Sequence, residues 1–275
     1  MRVAVVGDVG VDVLVTPSAP AVPGADVAAR IRTVAGGAGA NTAAWLAHLG
    51  VEVTLVARIG DDPAGRAAAS DLPGVDLALA VDPDAPTCTV VVLDGDRTML
   101  SDRGAAARLS PADLPALAGF DHLHLSGYVL LDPSSRPAGL AALAAARAAG
   151  LTTSVDPQAA PALTPGFLGW VRGVDLLLPN ADELAALGPG ARSAVTAVAA
   201  TDGPRGASWT DAGGRWSVPA AATTVRDPTG AGDAFDAGLL RAWLAGAAPD
   251  AALRAGCRAA ALAVARPGAR PPRPC

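Results

Sequence analysis

Short apolar runs alternate along the chain with longer alanine-rich stretches that have helical spacing. Apolar runs bounded by turn residues are typical of buried strands, and the alanine-rich stretches are typical of helices. The predicted strands lie at residues 2–6, 53–59, 87–93, 97–101, 122–126, 152–155, 176–178, 195–199, 207–210 and 215–218. The predicted helices lie at residues 41–49, 63–70, 137–149, 182–187, 231–245 and 250–264. This alternation predicts a three-layer α/β/α sandwich with a mainly parallel central sheet.

Two segments, residues 13–34 and 81–101, interrupt the alternation because they are extended and have no predicted helix between their strands. The second contains a predicted hairpin around Asp94-Gly95-Asp96, since Asp-Gly between β-rich runs favours a tight turn. We expect these segments to form a small β-sheet lid on a single domain that spans residues 1–275. An open sheet face rich in valine and alanine needs cover, which predicts a homodimer formed through the lid.

Composition narrows the function classes. Hydrophobic residues make up 51% of the chain, charged residues make up 17%, and the net charge is −5. These values predict a folded protein and argue against nucleic-acid binding, which usually needs a basic patch. The sequence contains no apolar run of membrane-spanning length, and its N-terminus does not resemble a signal peptide. We therefore expect a cytoplasmic protein without a membrane partner.

The basic and sulfur-containing residues exclude several kinds of chemistry. All 21 basic side chains are arginine, because the sequence contains no lysine. This excludes the Walker A lysine, the protein-kinase strand lysine and a pyridoxal Schiff base. Cys88, Cys257 and Cys275 lie far apart, so they suggest neither a zinc site nor a disulfide framework. Phosphate chemistry on this chain would depend on backbone amides, helix dipoles, arginine and a metal.

The segment DPTGAGDAF, residues 227–235, combines a sharp turn with the start of a predicted helix. Its glycines allow backbone N–H groups to approach a ligand, and a helix N-terminus attracts anions. Asp233 would lie in the first turn of this helix, where a carboxylate either caps the helix or serves as a base. On its own, the segment predicts an anion site and leaves the role of Asp233 open.

A second glycine-rich turn, GGAGAN at residues 36–41, also opens a predicted helix. A dinucleotide-binding fold is the competing explanation for two such turns. The G-x-G-x-x-G pattern fails in both, because Thr42 and Phe235 occupy the positions of the third glycine. The two turns therefore favour a phosphate-handling enzyme over a Rossmann dehydrogenase.

Four segments together resemble the signatures of the PfkB (ribokinase-like) sugar kinases. DPTGAGDAF is similar to the C-terminal signature of that family, and AGGAGANTAAWLAHLG with VARIGDDPAG is similar to its N-terminal signature. LLPNADEL resembles the family's N-x-x-E segment, and TDGPRGA resembles the strand and turn below the nucleotide. The resemblance covers essentially all 275 residues in the family's order and spacing. It implies a ribokinase-like fold and ATP-dependent phosphorylation of a hydroxyl.

The resemblance also implies a role for the C-terminal glycine turn. Asp233 would take the proton from the acceptor hydroxyl, as a general base positioned beside the phosphate. The backbone amides of Gly230, Ala231, Gly232 and Asp233 would form the anion hole for the transferred phosphoryl group. Gly230 and Gly232 would thereby also contact the nucleotide.

For the nucleotide and its metal, the resemblance implies a second set of residues. Asn180 and Glu183 match the N-x-x-E segment, which in the family positions Mg²⁺ largely through water. Both residues also fit a plain helix cap followed by an acid in the first turn. Thr201 and Gly203 would line the phosphates and ribose, and Arg205 would contact a phosphate.

For the acceptor, the resemblance points to the N-terminal turns. Asp12 corresponds to the carboxylate that binds vicinal hydroxyls, and Gly36, Gly37 and Asn41 complete the site. Arg103 follows the lid, where it either faces the acceptor or belongs to a solvated loop.

Other polar residues are expected to have structural roles. We interpret Asp8 and Asp62 as turn residues or as residues behind the site, and His48, His122 and His124 as packing residues.

The chain departs from the family pattern at three places. Pro228 stands where threonine is usual, while Asp227 and Thr229 remain, so a monovalent-cation site such as one for K⁺ stays open. The serine that helps to hold this cation in many relatives is missing from residues 268–272. Cys257 lies near the position where relatives place Asn or His beside the adenine, so nucleotide preference also stays open.

The class of acceptor is open as well. A sugar is favoured because the chain has only three Phe and one Tyr, whereas nucleosides usually need aromatic platforms. A nucleoside kinase of the same family is the alternative, with Trp45 as a candidate stacking residue. A non-catalytic sugar-binding protein is a third hypothesis, and the intact Asp233 argues against it.

Overall fold

A computed structural model describes residues 1–20, 22–24, 26–93, 98–164 and 166–272. Its strands are β1 Arg2–Val6, β2 Gly10–Pro17, β3 Ala29–Gly36, β4 Glu52–Gly60, β5 Val75–Asp82, β6 Cys88–Leu93, β7 Thr98–Asp102, β8 His122–Ser126, β9 Thr152–Asp156, β10 Leu176–Leu177, β11 Ala197–Thr201, β12 Ala207–Asp211 and β13 Gly214–Val218. Its helices are α1 Ala38–His48, α2 Pro63–Ser70, α3 Tyr128–Leu131, α4 Arg136–Ala148, α5 Phe167–Trp170, α6 Ala181–Leu187, α7 Ala191–Ala194, α8 Ala231–Leu244 and α9 Pro249–Val264. Short 3-10 turns cover Gly104–Arg108, Pro111–Asp113, Ala160–Ala162 and Gly203–Arg205.

Nine strands form the main sheet, in the order β13-β12-β11-β10-β9-β8-β1-β4-β5. From β11 to β5 every pair is parallel, and the β11–β12 and β12–β13 pairs are antiparallel. The predicted sandwich with a mainly parallel sheet is therefore confirmed. Because parallel strands end at the same edge of a sheet, the carboxyl ends of β1, β9, β10 and β11 come together at one side.

Helices cover both faces of the main sheet. Successive residues of β1 point to opposite faces: Val3 and Val5 join one core cluster with α1, α8 and α9, while Ala4 and Val6 join another with α4. Each fully buried valine contributes about 1.5–3 kcal/mol relative to an exposed one. The continuous apolar run of β1 thus reflects a strand that is buried on both sides.

The second sheet has four strands in the order β3-β2-β6-β7. The lid segment predicted at residues 81–101 begins too early, because Val81 and Asp82 pair with Ile59 and Gly60 of β4 in the main sheet. Strand β5, at the edge of the main sheet, was not predicted from the sequence. The predicted turn at Asp94-Gly95-Asp96 lies outside the described residues.

Within the described residues, no helix combines the length and the apolar character that crossing a bilayer requires.

Candidate active site

The turn before α8 is fixed by a glycine and by a carboxylate. Gly230 has φ +73°, and a Cβ at this position would lie 2.7 Å from the Cα of Ala269. The Asp227 carboxylate accepts hydrogen bonds from the N–H groups of Thr229 and Gly268, each at 2.9 Å. The segment after α9 therefore holds the helix start in place, and a side chain at Gly230 would collide with it.

The first turn of α8 opens onto a cavity. A Cβ on Gly232 would meet no protein atom within 4 Å, so the space beside it is free. A helix N-terminus attracts anions through its first N–H groups and its dipole, so this free space is the candidate anion cradle. Among the four predicted anion-hole amides, that of Ala231 donates to the Pro228 carbonyl at 3.3 Å. The cavity has a volume of about 330 Å³ and is lined by Met99, Asp156, Gln158, Leu178, Asn180, Glu183, Thr201, Pro228, Thr229, Gly230, Ala231, Gly232, Asp233 and Asp236.

Asp233 is the carboxylate in this helix turn, and it is only 9% exposed. Its Oδ2 accepts a hydrogen bond from Asn41 Nδ2 at 2.9 Å, which joins the two glycine-rich turns. Burial raises the pKa of Asp233 to about 7; the Asn41 bond opposes this change, and the charges of Asp8 and Asp12 add to it. The Asn41 Oδ1 is buried and has no hydrogen-bond partner among the described residues. A carboxyl and an amide oxygen are thus available beside the candidate anion cradle.

Asp12 lies against the glycine that ends β3. A Cβ on Gly36 would come within 2.3 Å of Asp12 Oδ1, so only glycine lets the carboxylate occupy this place. Burial and the neighbouring Asp8 raise the pKa of Asp12 to about 6, and Arg270 lowers it. Gly37 has φ +96°, and a side chain there would collide with the Asp8 carbonyl. The structure thus brings the predicted acceptor residues Asp12, Gly36 and Gly37 together.

Arg103 is ion-paired and largely buried, which excludes a solvated loop at this position. Its Nη1 lies 3.0 Å from Asp8 Oδ2, and its guanidinium lies over the Tyr128 ring at 4.7 Å. Asp8 also accepts the N–H of Gly39 at 3.1 Å. Asp8 therefore anchors Arg103 and the start of α1, behind Asp12 and Asp233.

The N-x-x-E segment forms a complete helix cap. Asn180 Oδ1 accepts the Glu183 N–H at 2.9 Å, and Glu183 Oε2 accepts the Asn180 N–H at 2.8 Å. Asn180 Nδ2 also donates to Glu183 Oε1 at 2.7 Å. Burial raises the pKa of Glu183 to about 7. Both side chains line the cavity as well, so a role in the helix cap and a position at the cavity coexist in the same residues.

Of the other residues predicted to contact the nucleotide, one lines the cavity and two do not. Thr201 lines the cavity and forms a β-bridge with Asn180. Gly203 and Arg205 do not line it, and Arg205 pairs with Asp202, with Nε 2.6 Å from Oδ2. A phosphate contact by Arg205 would therefore require it to leave or share this ion pair.

Three polar residues of the cavity were not singled out from the sequence. Asp156 and Asp236 are buried carboxyl groups. Burial and the charge of Glu183 raise the pKa of Asp156 well above the usual range, and burial and the charge of Asp156 do the same for Asp236. Gln158 has φ +61° and donates from its N–H and Nε2 to Asp156, at 2.9 and 2.7 Å. Left-handed backbone in a non-glycine residue is uncommon and clusters at functional sites. Asp156 is the last residue of β9, so it lies at the edge of the sheet where the carboxyl ends of the parallel strands come together.

The side chains available as metal ligands suit a metal ion that is held partly by the substrate. The described residues contain no group of three or more His, Cys, Asp or Glu side chains arranged as a metal cage. Mg²⁺ commonly keeps several waters and binds one or two carboxylates together with substrate phosphates. Glu183 and Asn180 beside an open helix N-terminus suit that kind of site. The cradle at Gly232 likewise suits the phosphates of ATP.

Several aromatic and polar residues are structural. Trp45 is fully buried and donates its indole N–H to the Ala269 carbonyl at 2.8 Å, so the candidate stacking role is wrong. His122 and His124 are buried and share the Ser154 hydroxyl, each at 2.8 Å, which confirms them as packing residues. Asp62 caps α2 by accepting the Gly65 N–H at 2.7 Å. Cys257 is buried on α9.

Comparison with known proteins agrees with this arrangement. Residues 1–274 match the model of the pfkB family of carbohydrate kinases. An ATP-dependent ribose-1-phosphate kinase of Halopiger xanaduensis is 33% identical, with 98% of this chain and 94% of the relative covered. A fructokinase of Klebsiella pneumoniae is 32% identical, with 94% and 92% covered.

A solved structure has the same fold. A ribokinase-like protein of E. coli, determined in complex with ATP and Mg²⁺, superimposes with a TM-score of 0.87 at 25% identity, covering 98% of this chain and 94% of the other. The chain therefore belongs to the pfkB family of carbohydrate kinases and is a phosphotransferase with an alcohol group as acceptor.

Proposed function

We propose that the protein transfers the γ-phosphoryl group of ATP to a hydroxyl of a sugar or sugar-like molecule, with Asp233 as the general base. The observation that carries this proposal is a buried carboxyl beside an open helix N-terminus. Asp233 lies one residue from Gly232, whose missing side chain leaves the anion cradle free. A proton acceptor and a phosphate site therefore adjoin, as phosphoryl transfer to a hydroxyl requires.

Asp233 is suited to its role by its environment. A general base is most effective when its pKa is near the working pH, and burial raises that of Asp233 to about 7. Asn41 orients the carboxyl through Nδ2, and its unpartnered Oδ1 is free to accept a hydrogen bond from the acceptor. The acceptor hydroxyl would lie between Asp233 and the phosphate in the cradle, and its proton would pass to an Asp233 oxygen.

The charge that develops on the transferred group needs stabilisation without lysine. The first-turn amides of α8, above all those of Gly232 and Asp233, would donate to the phosphoryl oxygens in a fixed geometry. Asn180 and Glu183 would hold Mg²⁺, largely through water. When bound, Mg²⁺ neutralises charge on the phosphate oxygens. Thr201, Gly203 and Arg205 remain the proposed contacts of the nucleotide phosphates and ribose.

The acceptor site favours a ligand rich in hydroxyl groups. Asp12, Asp233 and Asn41 Oδ1 all offer hydrogen-bond acceptors, and Asp12 accepts no hydrogen bond from a described residue. The Arg103 charge is already paired with Asp8. Sugar hydroxyls are donors that match this set. Buried Trp45 cannot stack on a nucleobase, which weakens the nucleoside alternative.

Two further parts of the proposal concern assembly and ions. A homodimer through the lid and a cytoplasmic location stay predictions. A potassium ion beside Asp227 and Thr229 also stays a prediction, with the missing serine at residues 268–272 as the argument against it. Both Asp227 carboxylate oxygens already accept backbone N–H groups.

ADP release, measured with Mg·ATP and a panel of pentoses, hexoses, their phosphate esters and nucleosides, tests the proposed function. Turnover with a sugar or sugar phosphate supports it. Turnover with nucleosides alone would replace it by the nucleoside kinase. Ligand binding without ADP release would favour the non-catalytic binding protein.

A further inference from the structure

Arg270 joins three separate parts of the molecule. It follows α9, and its side chain is only 9% exposed. Its Nη1 donates to the carbonyl groups of Asp71 at 2.7 Å and Ala68 at 3.2 Å, at the end of α2. Its Nη2 donates to the Gly36 carbonyl at 3.1 Å, at the last residue of β3. One buried guanidinium thus ties the C-terminal segment and α2 to the end of a lid strand.

The Gly36 end of this bridge lies directly under the Asp12 carboxylate. The Asp12 oxygens lie so close to the Gly36 Cα that a Cβ would come within 2.3 Å of Oδ1. Strands β2 and β3 also pair Gly10 with Gly36 and Asp12 with Val34. Any displacement of Gly36 would therefore displace the surface on which Asp12 rests.

The charges around Asp12 are mostly negative. Asp8 acts on Asp12 directly, and Asp233 also interacts with it electrostatically. Arg270 is the positive group that opposes them, and it also forms a salt bridge with Asp71, with Nη1 3.4 Å from Oδ2. Arg103, the other nearby cation, is paired with Asp8. An arginine keeps its charge in practically all protein environments, so Arg270 is a permanent counter-charge that Asp71 and Asp12 share.

We propose that Arg270 is a positioning residue of the acceptor site, which fixes Gly36 below Asp12 and supplies the positive charge that faces the Asp12 carboxylate. The inference rests on the proposed function, in which Asp12 binds acceptor hydroxyls. Arg270 itself contacts no reacting atom. Its effect on the reaction passes through Asp12, so it concerns binding of the acceptor and not binding of ATP.

Arg270→Gln removes the charge and at least one of the bridging hydrogen bonds. We expect the acceptor KM to rise about tenfold, the order expected for loss of hydrogen bonds to a charged group. The KM for ATP should stay near its wild-type value. Arg270→Lys restores the charge but cannot reach both carbonyl groups in the same way, so it should recover only part of the acceptor KM. Arg254→Gln removes an exposed arginine from a salt bridge on α9 and serves as the matched control.

A second measurement does not depend on turnover. Carbon-13 NMR of the side-chain carboxyl groups follows the titration of Asp12, with Asp12→Asn to assign its signal. We expect the pKa of Asp12 to be higher in Arg270→Gln than in the wild type and to return towards the wild-type value in Arg270→Lys.

An unchanged Asp12 titration in Arg270→Gln overturns the electrostatic part of the proposal. Equal changes in the KM values for acceptor and ATP, or a change matched by Arg254→Gln, overturn the positioning part. If the wild type phosphorylates no acceptor, the proposed function fails, while the NMR titration still decides whether Arg270 acts on Asp12.

Discussion

The Asp233 carboxyl experiences opposing influences from its neighbours. Burial and the negative charges of Asp8 and Asp12 favour its protonated form, whereas the Asn41 hydrogen bond favours the ionised form. A base must be ionised, so activity should be full above the pKa of Asp233 and should be lost as the pH falls through it. The acid limb of kcat/KM for the acceptor therefore reports on this balance.

Asn41→Leu keeps the volume of the side chain and removes the hydrogen bond to Asp233. We expect the pKa of Asp233 to rise and the acid limb of kcat/KM to move to higher pH. Rate profiles from about pH 5.5 to 9 would detect the change. A limb at the wild-type position would contradict the assigned role of Asn41.

At the residue scale, site residues could be predicted where a reactive or polar side chain occurs at a fixed spacing from glycines. Asp233 and Asn41 were predicted within two glycine-rich turns, and the structure joins them by a hydrogen bond. Asp156 and Gln158 carry no such pattern, because their importance comes from a strand end and a left-handed backbone. Trp45 was misjudged because no local signal distinguishes a buried tryptophan from an exposed one.

The first turn of α8 depends on two glycines for different reasons. Gly230 needs a positive φ and the close approach of Ala269, so its constraint lies in the protein itself. Gly232 has no such constraint, and the space beside it is free. We therefore expect Gly230 to be required for folding and Gly232 to be required for ligand binding, although both lie at the same helical turn.

Gly230→Ala should lower the free energy of unfolding by about 1–3 kcal/mol, because alanine is strained at positive φ and collides with Ala269. Gly232→Ala should leave thermal stability unchanged or slightly higher, since alanine favours a helix. Its methyl group would enter the anion cradle and reduce kcat/KM for ATP about 10- to 100-fold. Thermal melts and steady-state kinetics of both variants check this. Equal losses of stability would refute the distinction.

At the element scale, long periodic segments were predicted best. The helix predicted at residues 63–70 matches α2, because Asp62 provides a visible cap. Strand β5 was overlooked because the Asp, Pro and Gly residues around it mask its alternation. Helices α3, α5 and α7 have four residues each, too few for a periodic signal.

The lid sheet has two faces with different roles. The strand register places four residues in one row across one face of the sheet: Met99, Val92, Leu14 and Arg32. On this face Met99 lines the cavity. The opposite face carries apolar residues, of which Ile31 is 61% and Leu100 is 57% exposed. This exposed apolar face is where we expect the predicted contact between two copies of the chain.

Analytical ultracentrifugation should give the mass of a dimer for the wild type. Ile31→Asp should dissociate it, because a charge would be buried in the contact. Leu262→Asp, at another exposed apolar residue on α9, should leave the mass unchanged. A monomeric wild type would contradict dimerisation through the lid.

For the whole molecule, the order of elements and motifs was sufficient to predict the fold. Strands alternating with helices specify a mainly parallel sheet, and that sheet brings distant turns to one edge. The contacts of Arg270 could not be predicted in this way, since they join residues about 200 positions apart through tertiary packing alone.

The most direct test of the account is the Asp233→Asn variant, assayed for phosphoryl transfer and for ATP binding. The substitution keeps the size of the side chain and removes the base. We predict a loss of turnover of about 10²- to 10⁴-fold, with the dissociation constant of Mg·ATP, measured by calorimetry, close to that of the wild type. Near-normal turnover in Asp233→Asn would contradict the role of Asp233 as general base.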